Sequence, residues 1–227
     1  MSETIGWLKS LDYSPLWISL KTGVVATVLS FFLGVWAANL AVRKSTRFRA
    51  VLDGILTLPL VLPPTVAGFI LLRIFSLRRP VGGFLYEAFG FKAVHTWAGC
   101  ILAATVIAFP LMYRNARGAL EQVDRNLLDA ARTLGLSERE IFFRITLPLA
   151  KPGLLAGTVL TFARAMGEYG ATSMLAGNIP GKTGTISQRI AMVVQDGDYL
   201  TAGFWAVLVV VTAFILVTGM NLWSGRK

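Results

Sequence analysis

The sequence predicts an all-α integral membrane protein with about five transmembrane helices, and three observations predict it. Of its 227 residues, 55% are hydrophobic and only 15% are charged, with a strongly positive mean hydropathy. That composition suits a chain solvated by lipid rather than water. Uncharged runs of about 20 residues recur along it, the length a helix needs to cross a hydrocarbon core of about 30 Å. The 22 Lys and Arg residues, which leave a net charge of +10, fall mostly between those runs.

In chain order, the plain spans are Thr22–Val42, Gly54–Leu72, Ala93–Tyr113 and Leu200–Gly225. A further span, Pro152 to Ala176, is apolar except for Arg164 and Glu168 and reads as a helix with a polar feature. Ahead of the first span, Ile5–Leu20 carries Trp7, Tyr13 and Trp17 with Lys9 and Asp12. It reads as an interfacial segment, because amphipathic aromatics settle at headgroup level. Its mixed charges and lack of a small-residue cleavage site give no expectation of a cleavable signal peptide. Cys100 is the one cysteine; it lies in an apolar run, reads as a buried thiol, and excludes disulfide frameworks and thiol metal clusters.

Orientation follows from the bias of basic residues toward the cytoplasm. With the N-terminus outside, thirteen cations fall on the inner side: Arg43, Lys44, Arg47 and Arg49, then Arg114, Arg117, Arg125, Arg132, Arg139, Arg144 and Lys151, then Arg226 and Lys227. Eight fall outside: Lys9, Lys21, Arg73, Arg78, Arg79, Lys92, Lys182 and Arg189. The bias predicts an external N-terminus and a cytoplasmic C-terminus. It also accounts for the positive charge by topology, which argues against a nucleic-acid partner.

The longest inner segment is Arg114–Lys151. Leu120, Val123, Leu127, Ala130 or Ala131, and Leu134 recur at spacings of three and four, which predicts one amphipathic helix. It stops at Gly135, where a missing Cβ permits a sharp change of direction. Ser137 followed by Glu140 is a capping box that starts a second helix, with Glu138 in its first turn. Ile141, Phe142 and Ile145 give that helix an apolar side, and Pro148 is expected to end it. Two short helices meeting at a glycine form an elbow that can insert into a groove on a partner and transmit a push.

Inside the spans, Arg164 and Glu168 are spaced i, i+4, and ionised groups at that depth must face the bundle or a hydrated path. Two readings stay open: an internal ion pair that fixes packing, or a gate in which Arg164 attracts an anion and Glu168 keeps it from binding too tightly. Thr172 and Ser173 add hydroxyls one turn on. Pro59, Pro63 and Pro64 must break the backbone ladder of the second span, as a packing kink or as a pore-facing irregularity. His95, at the end of the third span, reads as an interfacial or helix-capping residue rather than a metal ligand, and no metal site is expected. Asn178–Thr185 is a loop of turn formers. The stretch from Gly177 falls short of a GxxxxGK[ST] phosphate loop, so no nucleotide-hydrolysing loop is expected on this chain.

The run Asp129-Ala130-Ala131, with Gly135 and then Ile145-Thr146-Leu147-Pro148, resembles the EAA loop of ABC importer permeases, with Asp129 where that family usually has Glu. Phe162–Thr172 and Asn178–Thr185 resemble the molybdate branch, and Leu58–Pro64 resembles the wider family. The likeness extends from about Trp17 to the C-terminus. It implies a type I ABC importer permease fold, with residues 1–227 as one transmembrane domain carrying a coupling loop at 114–151. It further implies a homodimer in the bacterial cytoplasmic membrane, ATP-binding cassette subunits on the cytoplasmic side, and an external solute-binding protein. Asp129, Ala130, Ala131, Gly135, Ile145, Leu147 and Pro148 would contact the ATPase. Arg164, Glu168, Thr172, Ser173, Pro59, Pro63 and Pro64 are the translocation or gate candidates. No cofactor is expected on this chain, since ATP and Mg2+ belong to the partner, and the chain itself would not be an enzyme. Molybdate is the expected substrate, with tungstate as competitor and sulfate as the alternative. A secondary transporter would need no elbow and often shows inverted repeats, of which none is clear. A membrane enzyme would carry clustered His, Asp or Cys.

Overall fold

The computed structural model describes residues 6–7 and 11–224, and all regular structure among them is helical. The helices are α1 (Ser14–Val42), α2 (Thr46–Val61), α3 (Pro64–Phe75), α4 (Pro80–Phe89), α5 (Trp97–Glu121), α6 (Arg125–Thr133) and α7 (Glu138–Ile141). A π-turn over Phe142–Thr146 follows, then α8 (Leu147–Met166), α9 (Gly170–Ala176), α10 (Ile186–Gln195) and α11 (Tyr199–Ser224). Four stretches are long and apolar enough to cross a membrane: Ser14–Val42, Trp97–Glu121, Glu138–Met166 and Tyr199–Gly219. A fifth is broken, its halves α2 and α3 meeting at 107°.

The centre of the bundle is the α1/α5 pair, and small residues make it. In lipid no hydrophobic force drives helices together, so close backbone approach and van der Waals contact must do so. Ala26, Ser30, Gly34 and Ala38 recur every fourth residue along α1 and are buried; Cys100, Ala104, Ala108, Met112 and Ala116 do the same along α5. A Cβ on Gly34 would sit 2.9 Å from Met112 Cγ and 3.1 Å from Tyr113 N. At the far end from the elbow, the Trp97 indole donates to Thr22 Oγ1 at 2.9 Å while the Lys21 ammonium lies 4.6 Å from its ring centroid. Helix α8 joins through another small pair: a Cβ on Gly153 or Gly157 would come within 2.6 Å of Ala119 or Asn115. The apolar cluster of Val35, Ala38, Met112, Ala116, Ala150 and Leu154 locks the three helices.

Several sequence expectations change. Residues 5, 8–10 and 225–227, with Lys9, Arg226 and Lys227 among them, lie outside the described residues. From Ser14 the expected interfacial segment is already the first helix, and Tyr13 packs edge-on against Trp205 at 5.7 Å. The single amphipathic helix expected from Leu120 to Leu134 is two: α5 runs on to Glu121, and Asp124 starts α6 by accepting the Asn126 N–H. Its apolar face divides accordingly. Leu120, Val123 and Ala131 are buried, while Leu127 and Leu134 are exposed. The span expected over Pro152–Ala176 also breaks, at Gly167–Tyr169 between α8 and α9. Nor does Pro148 end a helix. Proline lacks a donor and crowds the carbonyl four residues back, and the π-turn just before it widens the ladder, Leu147 N–H reaching Phe142 O. The helix passes the proline and continues to Met166. The capping role considered for His95 falls to Thr96, whose hydroxyl accepts the Gly99 N–H. His95 instead takes a φ of 57° and donates its N–H to Leu175 O.

Candidate functional site

Two constructions stand out, at opposite ends of one helix. The first is the elbow. After Thr133, Gly135 turns the chain at φ 81°, with its N–H on Arg132 O and the Leu136 N–H on Ala131 O. This is a Schellman motif, and its left-handed residue is the place where Cβ is penalised. Space is not the constraint, since a Cβ there would meet nothing within 4 Å. The expected capping box is present: Glu140 N–H donates to Ser137 Oγ, and Ser137 N–H to Glu140 Oε2. Arg132 ties the two arms together, donating to Asp129 and to Glu138, each at 2.6 Å. Those carboxylates, Glu138 foremost, raise the affinity of the Arg132 guanidinium for its proton.

The seven coupling candidates divide by position. Ala131 is buried and Leu147 packs on the core cluster, with Ile145 half-buried in the π-turn. Asp129, Ala130, Gly135 and Pro148 are exposed. Beside them Leu134 is 82% exposed at the elbow tip.

The second construction joins two features that the sequence shows far apart. The break at Leu62–Pro63 and the break at Gly167–Tyr169 pack against each other: a Cβ on Gly170 would lie 3.0 Å from Pro64 Cβ and 3.1 Å from Thr65 N. Next to this contact α3 and α9 touch backbone to backbone, a Cβ on Gly68 falling 2.6 Å from Ala171 Cα. Glu168, only 3% exposed, holds the junction with both oxygens. Its Oε2 accepts from Arg164 at 2.8 Å and its Oε1 from the Ala171 N–H at 2.7 Å, so it both pairs with a cation and caps α9. The Arg164 side chain remains 31% exposed. Pro64 and Glu168 thus belong to one junction, and Pro63 precedes it as the residue before α3. Pro59 lies inside α2. Thr172 is buried in α9, and Ser173 Oγ accepts from Gln188 on α10, which makes it a packing contact.

Sequence reading missed two features. Asp53, at the start of an apolar run, accepts from Tyr113 Oη and pairs with Arg117, whose Nε is 3.5 Å from Glu121; Arg49 pairs with Glu121 at 3.0 Å. This network staples α2 to α5 beside a cavity of about 400 Å3. A lone carboxylate entering a span was the available signal. The loop after α9 is also less open than its turn formers suggest. Thr183 is fully buried, its hydroxyl donating to Gly177 O and accepting the Ile179 N–H.

Helices long and apolar enough to cross a membrane, packed through small residues and carrying an elbow and two interrupted spans in contact, define a multi-span membrane bundle. Its fold is that of type I ABC importer permeases: the inward-facing MetNI methionine ABC transporter matches with a TM-score of 0.72 over 99% of this chain and 98% of that one, at 21% identity. The chain belongs to the family of binding-protein-dependent transport system inner membrane components, which matches residues 30–226. It is 46% identical over 184 residues to the molybdenum transport system permease protein ModB of Escherichia coli (strain K12), covering 81% of this chain and 80% of that protein. It is 32% identical over 209 residues to the sulfate transport system permease protein CysT of Salmonella typhimurium, covering 92% and 75%. The chain is therefore a multi-pass inner-membrane transport component.

Proposed function

We propose that this chain is the permease of an ATP-driven importer that moves molybdate inward across the bacterial cytoplasmic membrane. It acts as a homodimer, with ATP-binding cassette subunits on the elbow side and a solute-binding protein on the opposite face; the N-terminus is external and the C-terminus cytoplasmic. The observation that carries the reading is that elbow and junction share one helix. The second arm of the elbow runs without interruption from Glu138 to Met166, about 43 Å at 1.5 Å per residue. A push on Asp129, Ala130 and Gly135 therefore arrives at Arg164 and Glu168, where α8 meets the broken second span. ATP and Mg2+ act on the partner, and this chain supplies the lever.

Arg164, partly exposed, offers one cationic group to a tetrahedral dianion, while the buried Glu168 carboxylate paired with it neutralises part of that charge. Partial neutralisation keeps binding weak enough for release, as a pathway requires. Molybdate is favoured by the stronger likeness to a molybdenum permease. Sulfate is the second reading, favoured by the weaker likeness to a sulfate permease, and tungstate should compete with molybdate. The test is ATP hydrolysis by the permease–ATPase complex in nanodiscs. Binding protein loaded with molybdate should stimulate it several-fold over unloaded binding protein, and stimulation by sulfate-loaded protein alone would reject molybdate.

A further inference from the structure

A groove of about 1050 Å3 lies between α1 and the helix that leads from the elbow into α8. Its floor is apolar, with Phe32 and Trp36 from one side and Phe143, Leu147 and Leu155 from the other. Its charged lining is Arg43, Arg139 and Lys151 against one carboxylate, Glu138. That carboxylate is already committed: it accepts from Arg132 at 2.6 Å, and the Arg43 guanidinium is 3.9 Å from it. Arg139 makes no ion pair among the described residues. An apolar trough thus ends at Arg43 and Arg139, and the one carboxylate in its lining is already committed.

We propose that this groove binds one anionic glycerophospholipid, its acyl chains along the apolar floor and its phosphate between Arg43 and Arg139. Basic pockets between spanning helices select anionic headgroups. A zwitterionic headgroup would bring its own cation against Arg43 and Arg139, and free phosphate would leave the aromatic floor bare. One wall of the groove is the π-turn with Pro148, so a bound lipid braces the joint through which the elbow becomes a span. Lipid charge would then tune coupling. Binding itself stands whether or not the transport reading does.

The test uses the purified full-length chain in detergent, offered equimolar phosphatidylglycerol and phosphatidylcholine and read by native mass spectrometry. Wild type should retain phosphatidylglycerol preferentially. Arg43→Gln and Arg139→Gln should each reduce that preference roughly fivefold, the ratio expected for loss of one cation at a headgroup. Leu155→Trp, which fills the floor, should reduce retention of both lipids, while Arg79→Gln, which does not line the groove, should change neither. Both groove arginines are exposed, so the variants should melt as wild type does in lipid-free detergent. Equal retention of the two lipids by wild type would overturn the proposal. So would an unchanged preference in the Arg43→Gln/Arg139→Gln variant, or displacement of phosphatidylglycerol by excess inorganic phosphate while Leu155→Trp binds normally. Efficient cross-linking of two copies through Phe32→Cys in the presence of lipid would assign the groove to a dimer contact instead.

Discussion

Glu168 is stabilised by one contact it shares with a charge and one it shares with the backbone. Arg164→Met removes the charged partner and strands a buried carboxylate, which costs about 2 kcal/mol once the partial exposure of Arg164 is allowed for. Arg164→Met/Glu168→Gln should recover most of that loss, because glutamine is neutral and its carbonyl oxygen can still accept the Ala171 N–H. Glu168→Ala should fare worse than the double variant, losing the cap as well, about 1 kcal/mol. Thermal unfolding in detergent ranks the three, and equal melting of Arg164→Met and the double variant would show the pair to be uncoupled. Transport separates the two readings of the pair: a purely structural pair predicts uptake by the double variant, and a pathway role predicts a folded protein that does not transport. Local sequence showed the i, i+4 pair but not the cap, because Glu168 reads as mid-span unless the chain is known to break at Gly167.

At the scale of elements, Gly135 and the π-turn decide how the elbow works. Because the constraint at Gly135 is its φ of 81° rather than space, Gly135→Asn should preserve coupling and Gly135→Val should lose it. Asparagine tolerates the left-handed region; a β-branched residue there costs roughly 1–2 kcal/mol and redirects the second arm. Stimulated ATP hydrolysis by the assembled complex reads the difference, and equal activity of the two variants would remove Gly135 from the coupling path. The glycine and the Ser137/Glu140 box were legible because capping is local and fixes residue types at fixed spacing. The passage through Pro148 was not, since nothing in the letters distinguishes a proline that ends a helix from one preceded by a π-turn. The same limit applies to Asp124. A period of three and four residues continues across it while the backbone does not.

At the scale of the whole molecule, the apolar runs gave the spans and the basic residues gave an orientation, whereas the junction of Pro64 with Gly170 joins segments about one hundred residues apart that no local pattern relates. Orientation can be tested with cysteines at Ser137 and Lys182 after Cys100 is replaced, both positions being exposed. Thr183 is unsuitable because it is buried. In intact cells an impermeant thiol reagent should label the cysteine at position 182, and should reach position 137 only after permeabilisation; the reverse pattern would invert the topology.

The measurement closest to the central claim is uptake. The chain, reconstituted in liposomes with its ATPase and binding protein, should accumulate labelled molybdate only when ATP is supplied to the elbow side. Excess tungstate should suppress that uptake and excess sulfate should leave it largely intact. Accumulation of sulfate but not molybdate would contradict the substrate assignment, and molybdate uptake that proceeds without ATP would contradict the account of a lever driven through the elbow.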